Sequence, residues 1–114
     1  MAHHSLSAEF DADDKKLFVV TGVISGVRWV NPHIFWTVDA VENGKTVRWT
    51  FTNFPPAWWH RYGISKEVFK VGDKMTVEAW PPRDGTPHFG YGKIVHFADG
   101  RTISTLKHDP GDEQ

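Results

Sequence analysis

The stretch Leu17-Phe-Val-Val-Thr-Gly-Val-Ile-Ser-Gly-Val-Arg-Trp-Val30 decides the fold of this chain. It is rich in β-branched and aromatic residues, which favour strands. One alternating set within it consists of Val19, Thr21, Val23, Val27 and Trp29. Gly22 and Gly26 interrupt the run, and glycine inside a strand often marks a bulge or a sharp bend. We therefore predict a long first strand that curves through both halves of a small barrel.

The residues that follow predict two more strands. After the Asn31-Pro32 turn, the inward positions of the second strand are Ile34, Trp36, Val38 and Ala40. Asn43-Gly44 is a strong hairpin signal. The third strand then runs over residues 46–52, and its predicted inward side chains are Val47, Trp49 and Phe51.

A helical insert separates these strands from the rest. Pro55-Pro56 opens the helix and Gly63 ends it, because proline suits a first turn and glycine a terminus. Trp58 and Tyr62 share one helix face and are predicted to plug the end of the barrel. Strand four then places Met75, Val77 and Ala79 inward and Trp80 outward, strand five covers residues 92–97, and an extended piece follows near 102–105.

This order predicts an all-β fold, a five-stranded OB-like Greek-key barrel with one short helical insert between strands three and four. An open meander or a lipocalin-like half barrel is the alternative. The predicted organisation is an amino-terminal arm at 1–16, the barrel at 17–106 and a polar tail at 107–114.

The composition excludes several classes of function. Thirteen basic against fourteen acidic side chains give a net charge of −1, which argues against nucleic-acid binding because that binding depends on neutralising phosphates. The chain has no cysteine, so disulfides, zinc–thiolate sites and thiol nucleophiles are excluded. No apolar run approaches the roughly 20 residues that span a bilayer.

The amino terminus carries the densest set of metal-ligating groups. If the mature chain begins at Ala2, its amine, two amides and the His4 imidazole can hold Cu(II) in a square plane. If it begins at His3, the amine and imidazole of that residue chelate copper, with His33 as a further ligand. The residues alone leave both geometries open, and His33 is equally suited to hydrogen-bonding a neighbouring carbonyl.

Carboxylates and an amide near these histidines can orient the imidazoles. The candidates for this role are Glu9, Asp11 and Asn31. The leading prediction is therefore a non-catalytic protein that binds copper or another divalent metal, with no nucleic-acid partner and no transmembrane segment.

Two other functions compete with metal binding. A small aromatic, hydrophobic or glycan ligand could stack on a surface formed by Trp29, Arg48, Trp59 and Trp80. An enzyme could use His33, or the pairs His60 with Asp73 and His88 with Asp84, as a base and its orienting carboxylate. No G-x-S-x-G nucleophile motif and no phosphate-binding glycine loop accompanies them.

Four motifs, AHHSLSAEFD, VRWVNPHIFWTVD, GDKMTVEAW and FADGRTI, occur in this order between residues 2 and 103. Together they resemble a family of small exported bacterial proteins of unknown function, with Ala-His-His-Ser near the start, a Trp-x-Asn-Pro-His segment and a closing Ala-Asp-Gly-Arg. The resemblance implies a β-barrel in the periplasm or secreted medium, and a Met1 that precedes a mature exported chain. It implies no established activity.

The sequence departs from the family pattern at three places. Leu6 replaces the usual aromatic residue, Asn53-Phe54-Pro55 replaces Gly-Ser-Pro, and Ala79-Trp80 replaces Gly-Tyr. The last two changes add bulk where the predicted barrel meets its loops. A ligand common to the family would therefore be held differently in this chain.

Overall fold

The fold is all-β with little helix, as predicted, in a computed structural model that describes residues 6–105. The six strands are β1 (Phe18–Arg28), β2 (Phe35–Glu42), β3 (Lys45–Thr52), β4 (Lys74–Trp80), β5 (Phe89–Phe97) and β6 (Thr102–Ser104). The helices are α1 (Leu6–Glu9) and α2 (Pro56–His60), and single 3-10 turns cover Asp14–Lys16 and Lys66–Val68. The short helical insert after β3 is thus confirmed, whereas the extended piece near residue 102 is a sixth strand.

The strands form one sheet in the order β3-β2-β1-β4-β5-β6, with antiparallel neighbours throughout. β3 also pairs in parallel with β5, through Thr50–Thr52 and Phe89–Tyr91. β1 is shared between two partners, because its first half pairs with β4 and its second half with β2. Within residues 6–105, no helix has the length and apolar character to cross a membrane.

A bulge in β1 changes which side chains point into the core. Ile24 pairs with Val38 and Gly26 with Thr37, so Ser25 is an extra residue without a partner in β2. An extra residue reverses the alternation of inward and outward side chains along a strand. Before the bulge the inward side chains are Val20 and Ile24, which are buried. The alternating set predicted from the sequence is therefore split. Its early members Val19 and Val23 are 62% and 44% exposed, while Val27 and Trp29 pack on the core.

The main core fills one face of the sheet. The predicted inward residues of β2, with Ile34 just before it, and all three of β4 are buried, which confirms the period-two pattern there. Of the three predicted for β3, only Phe51 is buried, while Val47 and Trp49 are half-buried. Trp36 is 1% exposed, and its ring occupies the space where a side chain at Gly92 would lie, 2.7 Å from the ideal Cβ position. Trp59 of α2 is fully buried beside it, with ring centroids 6.2 Å apart. Of the two residues predicted as a plug, Trp58 is half-buried and packs against this core, whereas Tyr62 lies beyond the end of α2 and is 49% exposed, so its assignment was wrong.

A second apolar cluster, which we call the arm cluster, consists of Phe10, Trp80 and Tyr91. The chain before β1 is held against the β4–β5 loop, since the Asp11 amide donates to the Pro81 carbonyl at 2.9 Å and Phe10 bridges to Pro82. Phe10 is 1% exposed and lies 5.7 Å from the Tyr91 ring. The arm therefore covers a part of the sheet that the strand pattern alone would leave open to solvent.

Candidate functional site

His33 sits in the connection between β1 and β2, directly after Asn31-Pro32, and its side chain is half-buried. Its Nδ1 lies 2.7 Å from the main-chain carbonyl oxygen of Asn53. A carbonyl oxygen only accepts, so Nδ1 carries the proton and donates. In the neutral ring the lone pair is then on Nε2. Histidine ligands of metals are commonly fixed in this way, with one ring nitrogen bonded to a carbonyl and the other left to ligate.

The carbonyl that holds His33 belongs to a rigid buried residue. Asn53 is fully buried at the end of β3, its Nδ2 donates to the Gly92 carbonyl at 3.0 Å, and its Oδ1 accepts from Trp59 Nε1 at 3.0 Å. Both polar atoms of this amide are therefore satisfied inside the protein, which keeps Asn53 in one orientation. The His33 ring is thus set by the core as well as by its own turn.

The start of β2 is fixed to the same segment. The Ile34 amide donates to the Phe54 carbonyl at 3.2 Å, and Thr52 Oγ1 donates to the Ile34 carbonyl at 2.8 Å. These bonds hold Ile34, the residue next to His33, through both its amide and its carbonyl group. The Asn31-Pro32 turn that precedes His33 is therefore reinforced by contacts that the sequence did not reveal.

Ring contacts link the His33 segment to the amino-terminal arm. The Phe54 ring lies 6.2 Å from Tyr91, which in turn lies 5.7 Å from Phe10. Two successive ring contacts therefore connect Phe10 of the arm to Phe54, the residue that follows Asn53. The predicted ligands His3 and His4 lie outside the described residues.

The three residues predicted to orient the imidazoles have other surroundings. Asp11 accepts from Lys16 Nζ at 2.7 Å, and that hydrogen bond holds the pKa of Asp11 below its ordinary value. The Glu9 side chain is exposed, while its carbonyl accepts from the Arg83 amide. Asn31 is exposed. Within residues 6–105, no three histidine or carboxylate side chains are grouped as a metal site.

The four residues predicted to stack a ligand are not gathered on one surface. Trp59 lies in the main core and Trp80 in the arm cluster. Trp29 is half-buried against Phe69, with ring centroids 5.8 Å apart. Arg48 is exposed and forms two hydrogen bonds to Asp39, at 2.8 and 3.0 Å.

The expected exposure of Trp80 is wrong. Its outward position on β4 is covered by the arm, and the side chain is 5% exposed. Its ring stacks on Tyr91 at 5.3 Å, Nε1 donates to Asp14 at 3.1 Å, and Lys93 Nζ lies 5.3 Å from the ring centroid. The Trp80 ring thus has intramolecular partners and little exposed surface for a ligand.

The histidines considered as bases are placed differently from one another. His60 and His88 are both exposed, and Asp84, the proposed partner of His88, accepts from Thr86 Oγ1 at 2.6 Å. His96 of β5, which the sequence does not single out, bonds Glu78 on β4 and Thr102 on β6. Strand alternation places His96 outward, but only the register between strands identifies these two partners.

Comparison with known families gives one match, a family model described as a family of unknown function (DUF6152), over residues 1–90. No curated protein and no solved structure matches the chain.

Proposed function

This chain belongs to the DUF6152 family of unknown function, and we propose that it is an exported protein that binds copper or another divalent metal. His33 and the amino-terminal histidines His3 and His4 are the proposed ligands. The observation that carries the proposal is the hydrogen bond from His33 Nδ1 to the Asn53 carbonyl. It leaves Nε2 with a lone pair, on a ring whose direction is set before any metal arrives.

The amino terminus supplies the remaining ligands in this proposal. One histidine alone binds divalent metal weakly, whereas an amine, deprotonated amides and a second imidazole complete the planar set that Cu(II) prefers. The arm is anchored at Phe10, six residues after His4. Four of the residues between them form α1 (Leu6–Glu9), and a helical residue rises about 1.5 Å, so the helix contributes about 6 Å to the span between His4 and the anchor.

The finer architecture and location belong to the same proposal. An OB-like barrel is supported by the pairing pattern, in which β1 pairs with β2 and β4 while β3 pairs with β2 and β5. With β4 also paired to β5, each of the first five strands has two neighbours among these five. Export to the periplasm is supported by the resemblance of AHHSLSAEFD and the later motifs to small exported proteins.

The test is a Cu(II) titration of protein whose amino terminus is verified by mass spectrometry. Asparagine is the informative replacement for His33, because its amide nitrogen retains a donor near Nδ1 and removes the ligand at Nε2. We expect His33→Asn to weaken Cu(II) binding by at least about tenfold, the loss typical even of residues that only support a ligand. Deleting residues 1–8, which leaves Phe10 in place, should weaken it further.

His88→Asn is the matched control, because His88 is exposed on a different loop. It should bind Cu(II) as the parent protein does. Unchanged affinity in His33→Asn would remove His33 from the site, and full affinity after deletion of residues 1–8 would overturn the proposed function.

A further inference from the structure

A hydroxyl, an imidazole and a carboxylate are connected across three neighbouring strands of the sheet. His96 of β5 lies between Thr102 of β6 and Glu78 of β4. His96 Nε2 is 2.7 Å from Glu78 Oε2, and His96 Nδ1 is 3.1 Å from Thr102 Oγ1. The side chains of His96 and Glu78 are 38% and 30% exposed, so the group is reachable from solvent. We call it the Thr102–His96–Glu78 group.

The hydrogen bonds fix the roles of the two ring nitrogens. The Glu78 carboxylate accepts, so Nε2 of His96 carries the proton. In the neutral ring Nδ1 then has the lone pair, and the Thr102 hydroxyl donates to it. This is the polarity of a base-activated hydroxyl nucleophile, in which a carboxylate orients the imidazole and the imidazole receives the hydroxyl proton.

The backbone of β6 places a further donor beside the hydroxyl. The Phe97 amide donates to the Arg101 carbonyl at 2.9 Å, and the Thr105 amide donates to the Lys93 carbonyl at 2.7 Å. Bonded and non-bonded pairs alternate along an antiparallel ladder, so the opposed residues His96 and Thr102 are a non-hydrogen-bonded pair. Their side chains are therefore close, and the main-chain N–H of Thr102 points away from β5.

That N–H lies along the outer edge of the sheet. β6 is the last strand in the sheet order, and no strand among residues 6–105 pairs with its outer side. In chymotrypsin-like serine proteases the amide of the nucleophilic serine itself is one donor to the oxyanion. Within residues 6–105 the Thr102 amide faces no further strand, and we assign it the same purpose.

We propose that the Thr102–His96–Glu78 group catalyses acyl transfer from small esters to water. Thr102 Oγ attacks the ester carbonyl while its proton passes to His96 Nδ1, and the Thr102 amide stabilises the oxyanion. The carbon–oxygen bond to the alcohol breaks, and His96 returns the proton to the departing alkoxide, leaving acyl-Thr102. Water then attacks this ester with His96 as base, and the acid and the free hydroxyl are released. The group lies on a solvent-exposed face of the sheet, which offers little contact surface to a large acyl group. Small acyl groups are therefore favoured.

The probe is p-nitrophenyl acetate with the full chain in metal-free buffer, so the outcome is independent of the proposed metal site. We expect release of p-nitrophenol and an acetyl group on Thr102 in peptide mass spectra of rapidly quenched protein. Thr102→Val should abolish the acetyl group. His96→Gln and Glu78→Gln should each slow its formation by about tenfold or more, since general bases typically contribute at least that much.

Thr21→Val is the matched control, because Thr21 is an exposed strand threonine whose hydroxyl meets Thr76 at 2.9 Å rather than an imidazole. It should retain the parent rate, as should His88→Gln. Circular dichroism checks that every variant is folded. The proposal is overturned if acetylation occurs only on lysines, or if Thr102→Val keeps the parent rate while His96→Gln loses it, which would mark His96 as a simple imidazole catalyst.

Discussion

The main core and the arm cluster are both aromatic, yet they differ in how their polar groups are satisfied. In the main core, the buried Asn53 is neutral and bonds Trp59 and Gly92. The arm cluster instead contains a buried phenol, Tyr91, and places Trp80 beside the ion pair of Asp14 with Lys93. The buried amide of the main core is therefore uncharged, whereas the stability of the arm cluster depends on the protonation states of Tyr91 and Asp14.

The two clusters also differ in how they are assembled. The main core is built from strands that pair with one another, and its packing is inseparable from formation of the sheet. The arm cluster needs a separate segment, which is held by Phe10, by main-chain bonds to the β4–β5 loop and by the side-chain bonds of Asp14 to Trp80 and Lys93. Local opening requires less free energy where fewer contacts hold a segment. Stability is therefore expected to be unequal across the molecule.

The largest effect is expected from Trp59→Ala in the main core. The variant removes a fully buried ring and leaves Asn53 Oδ1 without its donor. Large aromatic truncations cost about 3–5 kcal/mol, and the unsatisfied oxygen places this one at the upper end. Urea unfolding measures the change. Trp58→Ala, at the half-buried neighbour, should lower the free energy of unfolding much less. Equal losses in the two variants would contradict the distinction between the buried and the half-buried tryptophan.

Phe10→Ala should have the next largest effect. Phe10 is 1% exposed, but the arm can relax once its anchor is lost, so we expect about 3 kcal/mol or less. Trp80 should then become accessible to acrylamide quenching at denaturant concentrations where the sheet is still folded. A loss as large as that of Trp59→Ala, with quenching appearing only at global unfolding, would show that the two clusters form one cooperative unit.

A smaller and pH-dependent effect is expected at Tyr91. Burial raises the pKa of this phenol above its ordinary value of 10.0. The folded state favours the neutral form, so its contribution to stability is complete below that value and is lost as the pH rises above it. Tyr91→Phe should cost about 1 kcal/mol at neutral pH, through the hydrogen bond with Thr105, and should flatten the alkaline decline. Unfolding followed from about pH 8 to 11 tests this, and Tyr62→Phe, at an exposed tyrosine, should leave the decline in place.

The smallest effect is expected from Asp14→Asn. The hydrogen bond from Lys93, with a further one from Trp80, lowers the pKa of Asp14 below 3.8. Its stabilising contribution is therefore present above that value and is lost as the pH falls through the lower pKa of the folded state. The Asp14 side chain is 63% exposed, so we expect less than about 1 kcal/mol. Trp80 fluorescence during acid titration should change in the parent protein and be flat in the variant, while Asp99→Asn, whose carboxylate pairs with Arg101, should titrate as the parent does.

Several parts of the fold could be predicted from local patterns. The alternation in β2 and β4 identified buried residues correctly, because successive side chains of a strand face opposite sides. Asn43-Gly44 forms the hairpin turn with φ of 54° and 78°, the left-handed conformations that this pair favours. The helical insert also followed from its proline start.

The errors share a different origin, since each depends on residues distant in the chain. Trp80 faces outward as its position on β4 indicates, but the arm covers it. Gly22 and Gly26 indicated a bulge or bend in the first strand, but only the pairing of β1 with β2 shows that Ser25 is the extra residue and which side chains change face. The bonds of His33 to Asn53 and of His96 to Glu78 also join residues that are separated in sequence.

The sequence by itself determined the all-β class, the inward positions of the second and fourth strands, and the concentration of metal-ligating groups near the amino terminus. These follow from side-chain alternation, turn chemistry and composition, all of which act over a few residues. The tertiary structure decided which aromatic rings are covered, which nitrogen of His33 bonds the Asn53 carbonyl, and which hydroxyl faces His96. Those outcomes depend on strand register and on the packing of the arm, because hydrogen-bond partners and buried surfaces are set by contacts between segments far apart in the chain.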